Sequence, residues 1–300
     1  MLKEAENKVK IEGILAEINL EPTSFEKNGT RQEAIRGNII VNVTQKISGV
    51  ETDLSIPVHM FATKYTKKGT SNPAYESIKR VLDEFKSIAA TGDIDEADRI
   101  RITNARVNMN EYYSADGRLI AFPRIMASFV NKIGKAECKP EATFSTQFVV
   151  AKKSEELDKN GEPTGRYRID TIIPMYGGRV DVVPMFAQSE GVISAISTYW
   201  EIGDTVRANG RLNFTVKTET TLKEVDFGEP IEETRTISVS ELIITGGSQE
   251  PLPEELAFDS TEIQEALEQR KINLEALKNK PSAKKAPSQE AKNGFADLGF

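Results

Sequence analysis

The stretch DLSIPVHMFA alternates: Leu54, Ile56, Val58 and Met60 fall on one side of an extended chain, and Ser55, Pro57, His59 and Phe61 on the other. That is the period of a half-buried strand. Two runs before it, KVKIEGILAEI and EAIRGNIIVNV, also predict strands. The rhythm then changes. In SNPAYESIKRVLDEF, Tyr75, Ile78, Leu82 and Phe85 recur at helical spacing, with Asn72 placed as N-cap and Pro73 at the first helical position. A strand, RITNARVNMN, follows, then a turn at Ala115-Asp116-Gly117 and a returning strand, LIAFPRIMASFV.

The same succession then runs a second time. ATFSTQFVVAK, RYRIDTIIPMY and a strand ending Val183-Pro184-Met185-Phe186-Ala187 precede a helix, SEGVISAISTYW, with Ser189 as cap. RANGRLNFTV and TRTISVSELIITG close the set. Asn104-Ala105-Arg106-Val107-Asn108-Met109 matches Asn209-Gly210-Arg211-Leu212-Asn213-Phe214, and Met60-Phe61-Ala62 matches Met185-Phe186-Ala187. Phe186 is therefore expected to stand where Phe61 stands. Each half reads β-β-β-α-β-β, and five strands with a helix between the third and fourth is the order of the OB-fold, a small partly open barrel.

The expected fold class is mainly β: two tandem five-stranded OB barrels, a C-terminal helix and a disordered tail. Residues 1–133 would form the first barrel, 134–141 a linker, and 142–249 the second barrel. NKIGKAECKPE around the linker predicts no element of its own, and KKSEELDKNGEPTG and KTETTLKEVDFGEPIEE read as loops. Within 250–279, TEIQEALEQRKINLEALK predicts a helix with a capping-box pattern at Thr261 and Gln264, packed on the second barrel or against another subunit. Residues 280–300 are rich in Pro, Ser, Ala and Lys and predict disorder.

Composition narrows the function. A single cysteine, Cys138, excludes an internal disulfide or a thiolate metal cluster and fits a reducing cytoplasm. No stretch approaches 18 apolar residues, and the first residues carry no apolar signal region, so neither a membrane span nor secretion is expected. The net charge of −7 is uneven: residues 1–140 hold 21 Lys+Arg against 19 Asp+Glu, and residues 141–249 hold 11 against 17. A polyanion needs a local basic stripe rather than a basic total, so the sum excludes no nucleic-acid partner. Phosphate-loop, zinc-protease and nucleophile-elbow motifs are absent. Asp93 and Asp95 read as solvated turn residues, and His59 as a solvated strand histidine. No enzyme activity, metal or cofactor is expected.

Trp200-Glu201-Ile202-Gly203-Asp204-Thr205-Val206-Arg207-Ala208-Asn209-Gly210-Arg211-Leu212 resembles the W-x-x-G-D-x-V-x-x-x-G-x-L stretch of OB-folds that bind nucleic acid. The layout resembles tandem OB-fold single-stranded DNA-binding proteins of the type carried by bacteriophages and mobile elements of Gram-positive bacteria. The ending GFADLGF is similar to the tail tip of bacterial single-stranded DNA-binding proteins. The resemblance implies a non-catalytic protein of the bacterial host cytoplasm that coats exposed strands in DNA replication or recombination. It implies recruitment of partner enzymes through Asp297, Leu298 and Phe300. An OB-fold protein-binding scaffold and an RNA-binding protein are the alternative readings.

A sequence-tolerant single-strand binder needs cations beside aromatics along one groove, each stacked base being worth about 1–3 kcal/mol. The first barrel offers Arg36, Phe61, Lys64, Tyr65, Arg101, Arg106, Tyr112, Tyr113, Phe122 and Arg124. The second offers Arg166, Tyr167, Arg168, Tyr176, Arg179, Phe186 and Arg211, with Trp200 assigned to the core. Phe61 also suits a barrel cap, alternation turns one of Tyr112 and Tyr113 inward, and Arg106 and Arg211 fit a shared structural role as well as a shared phosphate contact. The acidic segment KTETTLKEVDFGEPIEE makes the second barrel the weaker binder.

Overall fold

The computed structural model describes residues 2–27, 29–47, 49–223 and 231–278; Asp297, Leu298, Phe300 and the tail expected to be disordered lie outside the described residues. β1 (Asn7–Lys27), β2 (Thr30–Ile47) and β3 (Val50–Thr63) pair antiparallel in that order. Two helices, α1 (Pro73–Glu84) and α2 (Ile88–Thr91), lead to β4 (Arg99–Tyr113), which pairs with β1 and turns back into β5 (Leu119–Met126). β5 meets β3 in parallel at Val58↔Ile125, so the pairings β1-β2-β3-β5-β4-β1 close into a ring. β7 (Glu141–Leu157), β8 (Pro163–Met175), β9 (Arg179–Ala187), β10 (Thr205–Lys223) and β11 (Ile231–Gly247) close in the same cyclic order, with α3 (Glu190–Tyr199) between β9 and β10. β1 also pairs with β7, which joins all strands into one mixed sheet. The chain is mainly β and consistent with the OB-fold.

Alternation builds each interior. Leu54, Ile56, Val58, Met60 and Ala62 are all buried along β3, and Ile169 and Ile173 do the same on β8. The two interiors merge into one apolar cluster that also takes Ile78 and Val81 of α1. Asn72 caps that helix, its Oδ1 accepting the Ala74 N–H at 3.1 Å.

The two rings share their registers. A bulge lies between Leu15 and Glu17 on β1 and another between Val150 and Lys152 on β7. Leu15↔Val41 corresponds to Val150↔Thr171, Arg106↔Met126 to Arg211↔Ile243, and His59↔Met126 to Phe186↔Ile243. Phe186 therefore takes the place of His59, not of Phe61; counting along the chain puts Gln188 at the Phe61 position. The Met-Phe-Ala match is displaced by two residues, a shift that leaves every side chain on its own face and so escapes an alternation argument.

The ladder between β1 and β7 centres on Val9↔Phe144, with Asn7↔Thr146 and Ile11↔Ala142 on either side. Val9 and Phe144 are equivalent positions, since Val9 also faces Ala105 and Phe144 faces Gly210. The larger ring is accommodated by the smaller partner: a Cβ on Gly210 would sit 2.5 Å from the Phe144 ring and 2.1 Å from the Ile243 carbonyl oxygen.

Several loops expected from sequence are ordered. β6 (Asn131–Ile133) pairs with β4, and a 3₁₀ turn occupies Lys135–Glu137, so the linker does carry elements. KKSEELDKNGEPTG is mostly strand, because β7 runs to Leu157 and β8 resumes at Pro163. The acidic segment likewise continues β10 to Lys223 and begins β11 at Ile231, with residues 224–230 outside the described residues. These stretches are two-stranded arms whose ladder bonds need no core-facing alternation. α4 (Ser260–Lys278) is capped by Asp259, whose Oδ1 accepts the Glu262 N–H at 2.9 Å, rather than by Thr261. Its Ile263 and Ala266 pack with Leu2 on Val149, Ile172 and Val180 of the second ring, and its Arg270 ion-pairs with Glu111 on β4. Among the described residues no helix is long and apolar enough to cross a membrane.

Candidate functional site

The outward face of β3 carries Phe61, which stays 48% exposed. β2 sets Arg36 directly opposite it, and the Phe25 ring from the β1–β2 arm stands 6.2 Å from the Phe61 ring. Three open clefts meet at Phe61. One of about 540 Å³ is lined by Phe25, Tyr65 and Lys67. One of about 460 Å³ holds Arg36, His59 and Arg124, and one of about 710 Å³ holds Lys8, Arg106 and Phe129. Arg36, Phe61, Tyr65, Arg106 and Arg124 thus share one trough. Phe25, Phe129, Lys8 and Lys67 join them without having been expected. Phe25 lies on the outward face of β1, beyond the point where apolar alternation ends; Phe129 follows the end of β5, where strand parity gives no signal.

The trough's cations lie beside carboxylates of the same surface. Arg36 Nε donates to Glu21 Oε1 at 2.9 Å, Lys8 Nζ to Glu6 Oε1 at 2.9 Å, and Arg106 is ion-paired with Glu4. Arg124 Nη1 donates instead to Asn110 Oδ1 at 3.0 Å. Burial, and then the charge of Arg124, pushes the His59 pKa below its ordinary value, so the imidazole is neutral at pH 7. Lys64 flanks the trough, bonded to Glu33 Oε2 at 2.6 Å with its ammonium 5.8 Å from the Tyr65 ring centre; that hydrogen bond holds the Glu33 carboxyl below the usual carboxylate range.

Other expected site residues do not line these three clefts. Arg101 is clamped to buried Glu12, its Nε 2.7 Å from Oε2, and that bond holds the Glu12 carboxyl down. Tyr112 and Phe122 meet edge to face, 6.5 Å apart, on the outer face of the β4–β5 arm. Tyr113 takes the opposite face, the one that carries Met109 and Glu111 toward β9 and α4.

In the second ring the equivalent face is closed. Arg166 lies between Glu156 (3.1 Å) and Glu241 (2.9 Å), with its guanidinium 4.3 Å from the centre of the Phe186 ring. Beneath that guanidinium Phe186 is only 8% exposed. Tyr167 packs half-buried against the core, Arg168 pairs with Asp170, and Arg211 donates to Gln188 while burial pushes its pKa down. Tyr176 and Arg179 stay exposed around the Gly177-Gly178 turn. Trp200 is buried in the core, its Nε1–H donating to the Ser248 carbonyl at 2.8 Å. Beside it Gly203 adopts φ 98°, and Asp204 Oδ2 accepts the Glu201 N–H at 2.7 Å. The W-x-x-G-D stretch is thus the turn that feeds β10, with Gly203 in a conformation few other residues adopt.

Among the described residues no group of His, Cys, Asp and Glu is arranged to hold a metal ion. What the trough offers is a set of rings for stacking and cations for anion contact.

The profile of a family described as YorF matches residues 5–280. No curated protein matches. Among solved structures, the wild-type single-stranded DNA binding protein from Thermus aquaticus is similar with a TM-score of 0.50 and 10% identity, over 84% of this chain and 95% of that one. A deletion mutant of that protein is similar with a TM-score of 0.50 and 11% identity, over 84% of this chain and 97% of the other. At these identities the likeness is one of fold.

Proposed function

We propose that this chain, which belongs to the YorF family, is a non-catalytic single-stranded DNA-binding protein built from two tandem OB barrels, residues 1–133 and 142–249. The observation that carries the reading is the convergence of three open clefts on one exposed Phe61 ring, with aromatic and cationic side chains along each. The fold likeness to single-stranded DNA-binding proteins supports it. One base stacks on Phe61 and its neighbours on Phe25, Tyr65 and Phe129, while phosphates meet Arg36, Lys67 and Arg106. The second barrel, with Phe186 covered by Arg166, contributes through Tyr176 and Arg179 at most a short extension. The protein coats strands exposed in replication or recombination, in a bacterial cytoplasm and on behalf of a phage or mobile element. Its tail segment with Asp297, Leu298 and Phe300 offers apolar side chains beside an acidic one to a pocket on a partner enzyme.

Fluorescence anisotropy with labelled oligo(dT), oligo(rU) and a duplex of equal length tests the reading. The DNA single strand is expected to bind tightest, with an affinity that falls as salt rises because phosphate contacts release counterions. Phe61→Ala is expected to weaken it about tenfold, since one stacked base is worth about 1–3 kcal/mol. Equal affinity for duplex, or an indifferent Phe61→Ala, refutes the reading; preference for oligo(rU) transfers it to RNA.

A further inference from the structure

One rung away from Phe61 on the same outer face, Asn19, Asn38 and His59 stand in register across β1, β2 and β3. His59 pairs in turn with Met126 of β5, and Arg124 lies two residues before Met126 on the same face. Asn19, His59, Arg124 and Met126 line the cleft beside Phe61, and Asn38 stands between Asn19 and His59 in the register. Gly37 forms part of its floor at φ 139°; a Cβ there would meet the Asn19 carbonyl oxygen at 2.0 Å, so the backbones of β1 and β2 approach where no side chain fits.

A trough that only stacked bases and held phosphates would need no neutral hydrogen-bonding groups at this place. Neither the Asn38 amide nor the His59 imidazole has a hydrogen-bond partner among the described residues. Arg124 is oriented by its bond to Asn110, and its Nε is buried without a partner. A base whose ring stacks on Phe61 brings its edge onto this set.

We infer that the trough reads one base by its edge, at the cleft lined by His59 and Arg124, and that this base is guanine. The inference rests on the proposed single-strand binding. A guanidinium fork matches the adjacent O6 and N7 acceptors of guanine. Adenine places a donor beside N7, cytosine presents a donor on the same edge, and thymine has no paired acceptors there. Glu21 lines the same cleft and supplies a carboxylate for the N1–H and N2–H donors that guanine carries on its other edge.

The test is competition of unlabelled oligonucleotides against labelled oligo(dT) for the full chain: oligo(dT) alone, and the same length with a single central guanine, adenine or cytosine. The guanine oligonucleotide is expected to bind roughly tenfold tighter than oligo(dT), the others not. Arg124→Lys, which keeps the charge and loses the fork, and His59→Ala, an exchange on the outer face, are each expected to bring that ratio toward one. If all four bind alike, or adenine or cytosine leads, the guanine inference is overturned and single-strand binding stands. If none binds, both fall. A guanine preference that survives in Arg124→Lys and His59→Ala overturns the assignment to this cleft.

Discussion

Replacing Glu4 by Gln is expected to tighten single-strand binding. Glu4 is ion-paired with Arg106 in the cleft of about 710 Å³, with side-chain exposures of 35% and 52%. A phosphate that takes Arg106 must first displace this carboxylate. Exposed pairs of this kind hold about 0.2–1 kcal/mol, so removing the competitor is expected to raise affinity roughly 1.4- to 5-fold. Salt screens the pair and the phosphate contact alike, so the gain should shrink toward nothing near 1 M, where the Debye length is about 3 Å. The assay is oligo(dT) anisotropy at low and high salt on wild type, Glu4→Gln, Arg106→Gln and the double variant. In the Arg106→Gln background the effect of Glu4→Gln should vanish, the coupling that a double-mutant cycle reads. Affinity that falls or stays level in Glu4→Gln at low salt, or an equal gain without Arg106, refutes the reasoning.

Phe25→Ala and Phe129→Ala are each expected to weaken oligo(dT) binding by on the order of 1 kcal/mol, whereas Tyr199→Ala, on α3 and lining a different groove, should not; equal losses in the same titration would remove the trough. Gly210→Ala is expected to cost about 1–3 kcal/mol of stability in urea melts, because the added methyl meets backbone and ring. Adding Phe144→Val to that variant copies the Val9 and Ala105 combination and should recover part of the loss. Glu12→Gln should lower the melting temperature at pH 7. The Glu12 carboxyl sits below its ordinary value of 4.5 when folded, so its contribution is complete above that pH and disappears as pH falls through the depressed value. The gap between wild type and variant should therefore close under acid, and a gap constant with pH would deny Glu12 that role.

The side of each strand was legible wherever one face is buried. Leu54 through Met60 are buried at alternate positions, and Phe61 and His59 face outward, because apolar alternation and burial are the same pattern seen twice. Helix α1 was legible for a local reason, its Asn72 cap and Pro73 entry. Register was not: a two-residue slide conserves faces, and only the pairing partners reveal that Phe186 sits opposite Arg168 in the place of His59. The arms were missed because stretches such as residues 21–27 of β1 pair beyond the core and carry Pro, Thr, Ser and Glu without apolar alternation, which hid Phe25. Arg101 and Arg106 look alike in sequence. Their difference is made by Glu12 and Glu4, each far away along the chain.

The ladder centred on Val9↔Phe144 maps onto itself when the halves are exchanged, which is the contact two identical subunits form about a dyad. Identical subunits inherit every substitution in duplicate, and on both sides at once. Joined in one polypeptide, the halves escape that coupling, so an aromatic platform can persist at Phe61 while Gln188 stands at its counterpart. The dyad that would enforce equality between separate subunits here holds together two surfaces free to differ.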